Sequence, residues 1–525
     1  MKKSAGQIDA TPTKRVFSSI IADYNLNTGV CELVDNAIDL WTRNERSHAL
    51  RIDIHIELDQ QTLRVIDNAG GLEKDDLGII VTPGSSTLSG KTESIGIFGV
   101  GAKRAVVALA QKVEIRTRHK NGKTHLVEID DHWIGDPEWD LEMYVTDNIN
   151  PSSTIIELSK LRFRIDEQDV KFLKEHLRAT YAMFLKQSNC EIWLDSEKLT
   201  PLTFENWSYP PGYSPRRFSG DVLTEDDETL TLRAVAGLIK EKGSIAGEYG
   251  VYFYCNNRLV SRALKSYDVG FVAGLAGAPH NVVSLVRVII HLNGPSRCMP
   301  WNSSKSAINA NHRTFKVIQK WLTQTVTGFA NVSKRFHGEW EKKVFRYSSG
   351  NYIDVEIANF EKVKKAFLPP LPPKRVKYEV ALHKKNERLL KKKPWVRGVY
   401  EADVAVELVQ KQKFEQKNRL SLILLDSSLE IAFKDFLVNE SGQYFTDTQL
   451  LQLFGSRHKV ETEVQKYVKI GSDVWKKLKF YYGLRCKLVH ERSTAEITNG
   501  QIEEFRSAVH KVLSKLFKLK WVSHA

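Results

Sequence analysis

Three short segments near the N-terminus hold the residues with the most to do chemically: Glu32-Leu-Val-Asp-Asn36-Ala-Ile-Asp39, Asp67-Asn-Ala-Gly-Gly71 and Gly96-Ile-Phe-Gly99-Val-Gly101. Read as a helix at about 100° per residue, the first segment brings Glu32, Asn36 and Asp39 within roughly 60° of one another. Leu33, Val34, Ala37, Ile38, Leu40 and Trp41 flank this narrow polar stripe. Its carboxylate and amide are therefore half-buried and need partners. In the second segment Asp67 can accept a hydrogen bond from an exocyclic amine, and Gly70 and Gly71 let the backbone come close to a ligand. The glycines of the third precede the apolar run Ala102–Ala110, and glycines that open a helix offer free amides and a positive dipole end to a phosphate. Taken singly, each segment has a plainer reading: a surface helix with an acidic face, a turn, a glycine-rich loop. Taken together they describe a nucleotide site that lacks the usual phosphate loop.

The elements that must position these groups are legible nearby. Residues 51 to 58 alternate with period two, a turn follows at Asp59-Gln60-Gln61, and Leu63–Ile66 completes a hairpin, so Asp67 stands at a strand's end. The stretch Gly84-Ser-Ser-Thr-Leu-Ser-Gly90-Lys91-Thr92 imitates a phosphate loop but carries one residue too many between its glycines. It reads instead as part of a mobile lid over residues 84 to 98.

An acid-bearing helix, an Asp turn and Gly-x-Phe-Gly-x-Gly, in this order and within about seventy residues, resemble the GHKL ATPases, the superfamily of gyrase, the large heat-shock chaperone, histidine kinases and MutL. The resemblance implies ATP and Mg2+ as cofactors. Glu32 would be the general base that orients the attacking water, help typically worth about 10² to 10⁴ in rate. Asn36 would hold magnesium, Asp67 the adenine amine, and Gly71 would pack near the base, with Thr154 beside it. Gly99, Val100, Gly101 and Ala102 would face the phosphates under the lid. Two positions depart from the family pattern: Ala69 stands where many members carry glycine, and Ser153-Thr154 replaces the usual Gly-Thr. Histidine kinases usually lack the carboxylate at the Glu32 position, and no phosphoacceptor histidine segment precedes these motifs.

At 525 residues the chain is too long for one core. A hydrophobic content of 42% fits a globular protein, and no apolar run approaches the roughly 18 residues of a membrane span. Polar residues follow Met1-Lys2-Lys3, so the expectation is a cytoplasmic protein. Cys31, Cys190, Cys255, Cys298 and Cys486 are scattered and form no Cys-x-x-Cys pair, which reads as buried thiols and indicates neither a disulfide framework nor a zinc site. The net charge is +14, with thirteen Lys and Arg against two Glu between Lys362 and Arg397, around Pro369-Pro370-Leu371-Pro372-Pro373. That stretch reads as a linker able to touch phosphates, and equally as a solvated spacer.

Beyond the nucleotide segments, Gly250–Val260 and Val282–Leu292 read as strands of a second α/β layer. The first resembles the Asn-x-Arg strand of the transducer domain of MutL, gyrase and MORC ATPases. Pro300-Trp-Asn-Ser-Ser-Lys305 falls where that domain carries a lysine reaching the terminal phosphate, which makes Lys305 the candidate for that role. The plainer alternative is a surface lysine in a turn.

From Glu401 the chain reads as helices, notably 419–437, 473–488 and 501–517. Tyr481-Tyr-Gly-Leu-Arg485-Cys-Lys-Leu-Val-His490-Glu491 carries Arg-x₄-His, which is similar to the signature of HEPN domains, many of them metal-independent ribonucleases. An imidazole can move protons while a ribose 2′-hydroxyl attacks the adjacent phosphate, and a guanidinium can steady the charge that develops. Five residues on an ideal helix make about 140°, so Arg485 and His490 diverge unless the helix ends between them, or two copies share a cleft across a two-fold axis. Cys486 departs from the polar residue often found there, and the alternative is a bundle used for dimerisation or small-ligand binding.

The expected architecture is multidomain α+β: a GHKL α/β sandwich at 1–195, a transducer (ribosomal S5-like) domain at 196–340, a basic linker at 341–400 and a HEPN-like all-α bundle at 401–525. The expected function is a homodimeric anti-phage effector in which MgATP hydrolysis controls RNA cutting by Arg485 and His490. The alternative is a MORC- or MutL-like DNA clamp with a non-catalytic helical dimer contact, and a weaker third is a chaperone-like binder of client proteins.

Overall fold

The computed structural model describes residues 14, 24–80, 93–96, 101–224, 228–241, 244–348, 351–363, 367–372, 378–490 and 496–522, with 79–80, 101–104 and 490 as backbone alone. The chain divides into two compact units, Met1–Pro372 and Pro373–Ala525.

The first unit opens on α1 (Leu26–Arg43). Asn25 and Thr28 close a reciprocal capping box at its start, each side chain taking the other's amide at 3.0 Å. Leu33, Val34, Ala37, Ile38 and Trp41 are all at most 3% exposed, so the apolar flanks foreseen around the acidic stripe are core except Leu40, which is half-buried. The hairpin follows as β1 (Leu50–Glu57) and β2 (Thr62–Asp67), antiparallel with Glu57 opposite Thr62 and Ile52 opposite Asp67. Ile52, Ile54, Leu63 and Val65 point inward, the period-two pattern made physical.

After α2 (Gly101–Leu109) come β3 (Ala110–Arg118), β4 (Thr124–Asp130), β5 (Met143–Thr146), β6 (Ser153–Leu161), α3 (Glu167–Thr180), β7 (Cys190–Leu194) and β8 (Glu197–Lys198). The eight strands form one sheet in the order β5-β4-β3-β6-β2-β1-β7-β8, with only β1–β7 parallel. Helix α1 packs on α2, α3 and β1, giving an α/β sandwich.

A second sheet has the order β12-β11-β13-β10-β9-β14, from β9 (Arg216–Leu223), β10 (Thr229–Leu238), β11 (Gly250–Cys255), β12 (Arg258–Leu264), β13 (Val286–Asn293) and β14 (Ile353–Glu356). Helix α4 (Arg313–Arg335) covers it with Phe315, Trp321 and Phe329, the Trp321 ring meeting Phe218 edge-on at 5.2 Å. The segment expected as one strand, Gly250–Val260, is a hairpin. Asn256 (φ 47°) and Asn257 (φ 67°) form a two-residue turn with both residues left-handed, a conformation asparagine tolerates. The strand expected from Val282 starts four residues later, after a turn of 3₁₀-helix at Asn281–Val283.

The stretch 341–400, expected as a basic linker, is divided between the two units. Strand β14 pairs with β9, and Ile357, Phe360 and Val363 enter the core of the second sheet. Beyond Pro373 the chain is helical: α5 (Tyr378–Lys392) and α6 (Val396–Gln410) contribute Leu382, Val396, Val399 and Tyr400 to the helical core. Charge density concealed a sparse apolar face. The second unit continues with α7 (Lys417–Asn439), α8 (Asp447–Phe454), α9 (Arg457–Tyr467), α10 (Ser472–His490) and α11 (Asn499–Phe517). All five cysteines are free thiols. Among the described residues no helix is long and apolar enough to cross a membrane.

Candidate functional site

The acidic stripe of α1 meets a second sheet that sequence spacing could not place against it. Lys305 Nζ lies 2.6 Å from Glu32 Oε2 and 3.3 Å from Asp35 Oδ2, and all three residues are at most 5% exposed. Arg258, at the start of β12, donates from Nε to Asp35 Oδ1 at 2.8 Å and from Nη1 to the Lys305 carbonyl at 2.6 Å. Tyr181 donates its hydroxyl to Asp35 Oδ1 (2.7 Å) and to the Cys31 carbonyl (2.8 Å). Two carboxylates and two cations thus form a neutral, buried cluster, since a lone charge at this depth would be costly.

Burial alone would lower the Lys305 ammonium, but Glu32 and Asp35 beside it outweigh burial and push it up to about 12. Burial pushes the Glu32 carboxyl above the usual carboxylate range, against the pull of Lys305. Glu32 Oε1 is buried and has no hydrogen-bond partner among the described residues. A basic oxygen with a spare lone pair, one turn from the exposed Asn36 on the same helix face, suits a carboxylate that accepts a proton from water beside a cation-bearing ligand.

Asp67 lies directly across from Thr154 in the β2–β6 register, and Thr117 of β3 is the next neighbour in that row. Thr154 Oγ1 sits 3.1 Å from Thr117 Oγ1, which accepts the Leu72 amide at 2.8 Å. Asp67 Oδ1 accepts the Ala69 amide at 2.9 Å, its one hydrogen bond among the described residues. Burial pushes the Asp67 carboxyl up to about 6, the Ala69 amide opposing. Such a carboxylate retains acceptor capacity for an amine. Gly71 adopts φ +67°, and a Cβ there would stand 2.1 Å from the Arg118 carbonyl oxygen. Glycine is required by the close approach of β3. Asn44, the C-cap of α1, donates to the Ala69 carbonyl at 2.9 Å and so ties the acidic helix to the Asp67 turn.

The segment Ser94–Gly96, at the foot of the expected lid, is held from two sides. Asp39 accepts the Ile95 and Gly96 amides at 2.7 and 2.6 Å. From the second sheet, Ser296 Oγ accepts the Ser94 amide at 2.9 Å, and Asn256 Nδ2 donates to the Ser94 carbonyl at 2.9 Å. The rest of the expected lid within 84–92 and 97–98, with Gly99 and Val100, lies outside the described residues. Gly101 and Ala102 open α2.

Residues 24–160 match the family model described as histidine kinase-, DNA gyrase B- and HSP90-like ATPase. The chain carries a GHKL-type ATPase module. ATP is the ligand this match assigns to the module, and the matched span holds Glu32, Asn36, Asp67, Gly71 and Thr154 but not Lys305. Among curated proteins none matches the chain at a significant level.

In the helical unit, Arg485 and His490 lie on one helix, α10, which runs unbroken through both. The break that would have aimed them together is therefore absent, and the 140° separation stands within one copy. Arg485 Nε is 3.6 Å from Asp426 Oδ2, whose other oxygen takes Arg457 Nη1 at 2.7 Å. Arg457 also pairs with Glu461 at 2.9 Å and lies 4.0 Å from the Tyr482 ring centroid.

Asp35, Tyr181, Thr117 and Ser296 were not singled out from sequence, and Asn256 entered only as the asparagine of the Asn-x-Arg motif. Of the four, Asp35 alone had a signal there, falling one turn from Glu32 within the quoted segment. The others belong to strands, turns or helices distant in the chain.

Proposed function

We propose that the protein is an ATP-driven switch in which Glu32 is the general base, Asn36 the magnesium ligand, Asp67 the adenine contact and Lys305 the sensor of the terminal phosphate. The observation that carries this reading is the buried Lys305–Glu32 contact, which together with Arg258–Asp35 joins the second sheet to the helix that bears Glu32. The same contact gives the switch its logic: an ammonium shared between Glu32 and a phosphate experiences different fields before and after hydrolysis, and the loop that bears it belongs to the other sheet. When bound, magnesium would neutralise phosphate charge. Glu32 would orient and deprotonate the attacking water, and Asp67, Thr154 and Gly71 would fix the base.

The proposed output is RNA cutting by Arg485 and His490 in an anti-phage effector. Exposed Lys384, Lys385, Arg388, Lys391 and Lys392 on α5 supply a basic face suited to nucleic acid. A homodimer is supported by α7, where Leu420, Ile431 and Val438 share one outward stripe at 43%, 59% and 51% exposure. The test runs wild type, Glu32→Ala and His490→Ala in parallel for Mg-dependent ATPase activity and RNA integrity. Glu32→Ala should lower turnover at least about a hundredfold; His490→Ala should spare turnover and abolish RNA cleavage. Intact RNA with wild type in ATP, ADP and nucleotide-free states would overturn the nuclease arm.

The unbroken α10 and the engagement of Arg485 by Asp426 favour a second reading, a DNA-binding clamp whose helical unit is a non-catalytic dimer contact. Salt-sensitive DNA binding that persists in His490→Ala, with ATP-dependent closure and no RNA loss, distinguishes it.

A further inference from the structure

Arg258 makes no hydrogen bond to the Glu32 side chain and reaches Lys305 only through its main chain, yet it is 3% exposed and its partners come from both sheets. It leaves the chain immediately after the Asn256-Asn257 turn. That turn is rigid because Asn256 Oδ1 accepts the Gly294 amide at 3.0 Å while its Nδ2 donates to the Gly294 carbonyl at 3.0 Å. From this fixed root the guanidinium binds a carboxylate on α1 and the main chain of the very residue whose ammonium reaches Glu32.

The Lys305 loop needs such a hold. Asn302 Oδ1 gathers the Ser306 and Ala307 amides at 2.9 and 3.2 Å, and Lys305 itself adopts φ +50°, a conformation a lysine keeps only when its surroundings enforce it. The charges point the same way. Asp35 lies between the two cations, at 2.8 Å from Arg258 and 3.3 Å from Lys305. With Arg258 on its Oδ1, Asp35 has a cation of its own, although its Oδ2 has no hydrogen-bond partner among the described residues, and Lys305 makes its shorter contact, to Glu32. Without it, the nearest remaining cation for Asp35 is Lys305, which would be drawn off Glu32 while its loop loses the carbonyl anchor.

We infer that Arg258 is a positioning residue: by bridging Asp35 to the Lys305 main chain it sets the Lys305 ammonium on Glu32, and so couples the second sheet to turnover in the first. The effect on catalysis rests on the ATPase reading; the effect on Lys305 does not.

Two measurements on the full chain separate them. In the first, Lys305 is labelled with a small acylating reagent and quantified by peptide mass spectrometry. Wild type should protect it, and Arg258→Gln should raise its labelling rate about tenfold or more, because an ammonium released from a buried pair becomes accessible. Arg258→Lys, which keeps the charge beside Asp35 but cannot bond Asp35 and the Lys305 carbonyl through one planar group, should also expose Lys305. Protection unchanged in both variants overturns the inference whatever the enzyme does. In the second, MgATP turnover and nucleotide affinity are compared for Arg258→Gln, Arg258→Lys, Lys305→Met and the Arg258→Gln/Lys305→Met double variant. Each single change should lower kcat about tenfold to a hundredfold with little effect on affinity, and the double variant should be no slower than the slower single within about threefold. Multiplying losses, or wild-type turnover in Arg258→Lys, would show that Arg258 acts independently of Lys305. Absent turnover in wild type together with Lys305 exposure in the variants would overturn the ATPase reading and leave the positioning intact.

Discussion

Replacing Lys305 by Met tests the buried cluster without reference to any ligand. The methionine fills similar space, but Glu32 and Asp35, both at most 2% exposed, are left with Arg258 as the remaining cation of the cluster among the described residues. Breaking a buried ion pair from one side typically costs about 3 to 5 kcal/mol. Taking the lower bound, because Arg258 remains, the first unit should lose about 3 kcal/mol at pH 8 and melt roughly 5 °C or more below wild type. The pH dependence follows from Glu32. Its folded-state carboxyl already stands above its ordinary value through burial, and without Lys305 it rises further. A raised acid binds more protons folded than unfolded, so the variant's stability declines as pH rises from the ordinary carboxylate range. The deficit should therefore be largest at pH 8 and shrink towards pH 5. Adding Glu32→Gln, which removes the unpaired charge, should recover much of the loss. Chemical denaturation of the full chain at pH 5, 6, 7 and 8 reads all three effects. A Lys305→Met protein as stable as wild type at pH 8, or a deficit that grows in acid, would refute the account of a charge-balanced buried cluster.

Two other substitutions probe separate parts of the structure. Gly71→Ala forces a Cβ to within 2.1 Å of the Arg118 carbonyl at a left-handed φ, so it should cost about 2 kcal/mol or more and weaken ATP uptake, read by denaturation and calorimetry. In the helical unit, Asp403 takes Arg506 through both oxygens at 2.7 and 2.9 Å, His510 at 2.7 Å and the Tyr378 hydroxyl at 2.7 Å. Burial alone would raise its carboxyl, but His510 and Arg506 hold it well below the ordinary range. A depressed acid contributes stability above its unfolded value that fades as pH falls, so Asp403→Asn should cost about 3 kcal/mol at pH 7 and progressively less below about pH 4, by denaturation of the full chain.

Local order was readable directly from the residues, because its causes are local. The alternation of 51–58 and 63–66 predicted β1 and β2, the 3.6-residue spacing around Glu32 predicted α1, and long apolar runs predicted α7, α10 and α11, each within a few residues. Elements with weak or masked periodicity were harder to see. Helix α5 and the first residues of α6 fall in the expected basic linker because charges crowd the solvent face while the few buried residues, Leu382 and Val396 among them, are widely spaced. The Asn256-Asn257 turn was missed inside an apolar run because asparagine at left-handed φ leaves the flanking β pattern uninterrupted.

The sequence by itself determined that an acidic helix, an Asp-bearing strand end and a glycine-opened helix would occur in that order, since each depends on side-chain periodicity and turn chemistry within a few residues. Only the tertiary structure decided that Lys305 and Arg258 would close on Glu32 and Asp35. Those contacts span 273 and 223 residues of chain, and no local spacing encodes them. They exist because two carboxylates brought into the dark side of α1 cannot be left unpaired in a medium of low dielectric, and the second sheet is what delivers the cations.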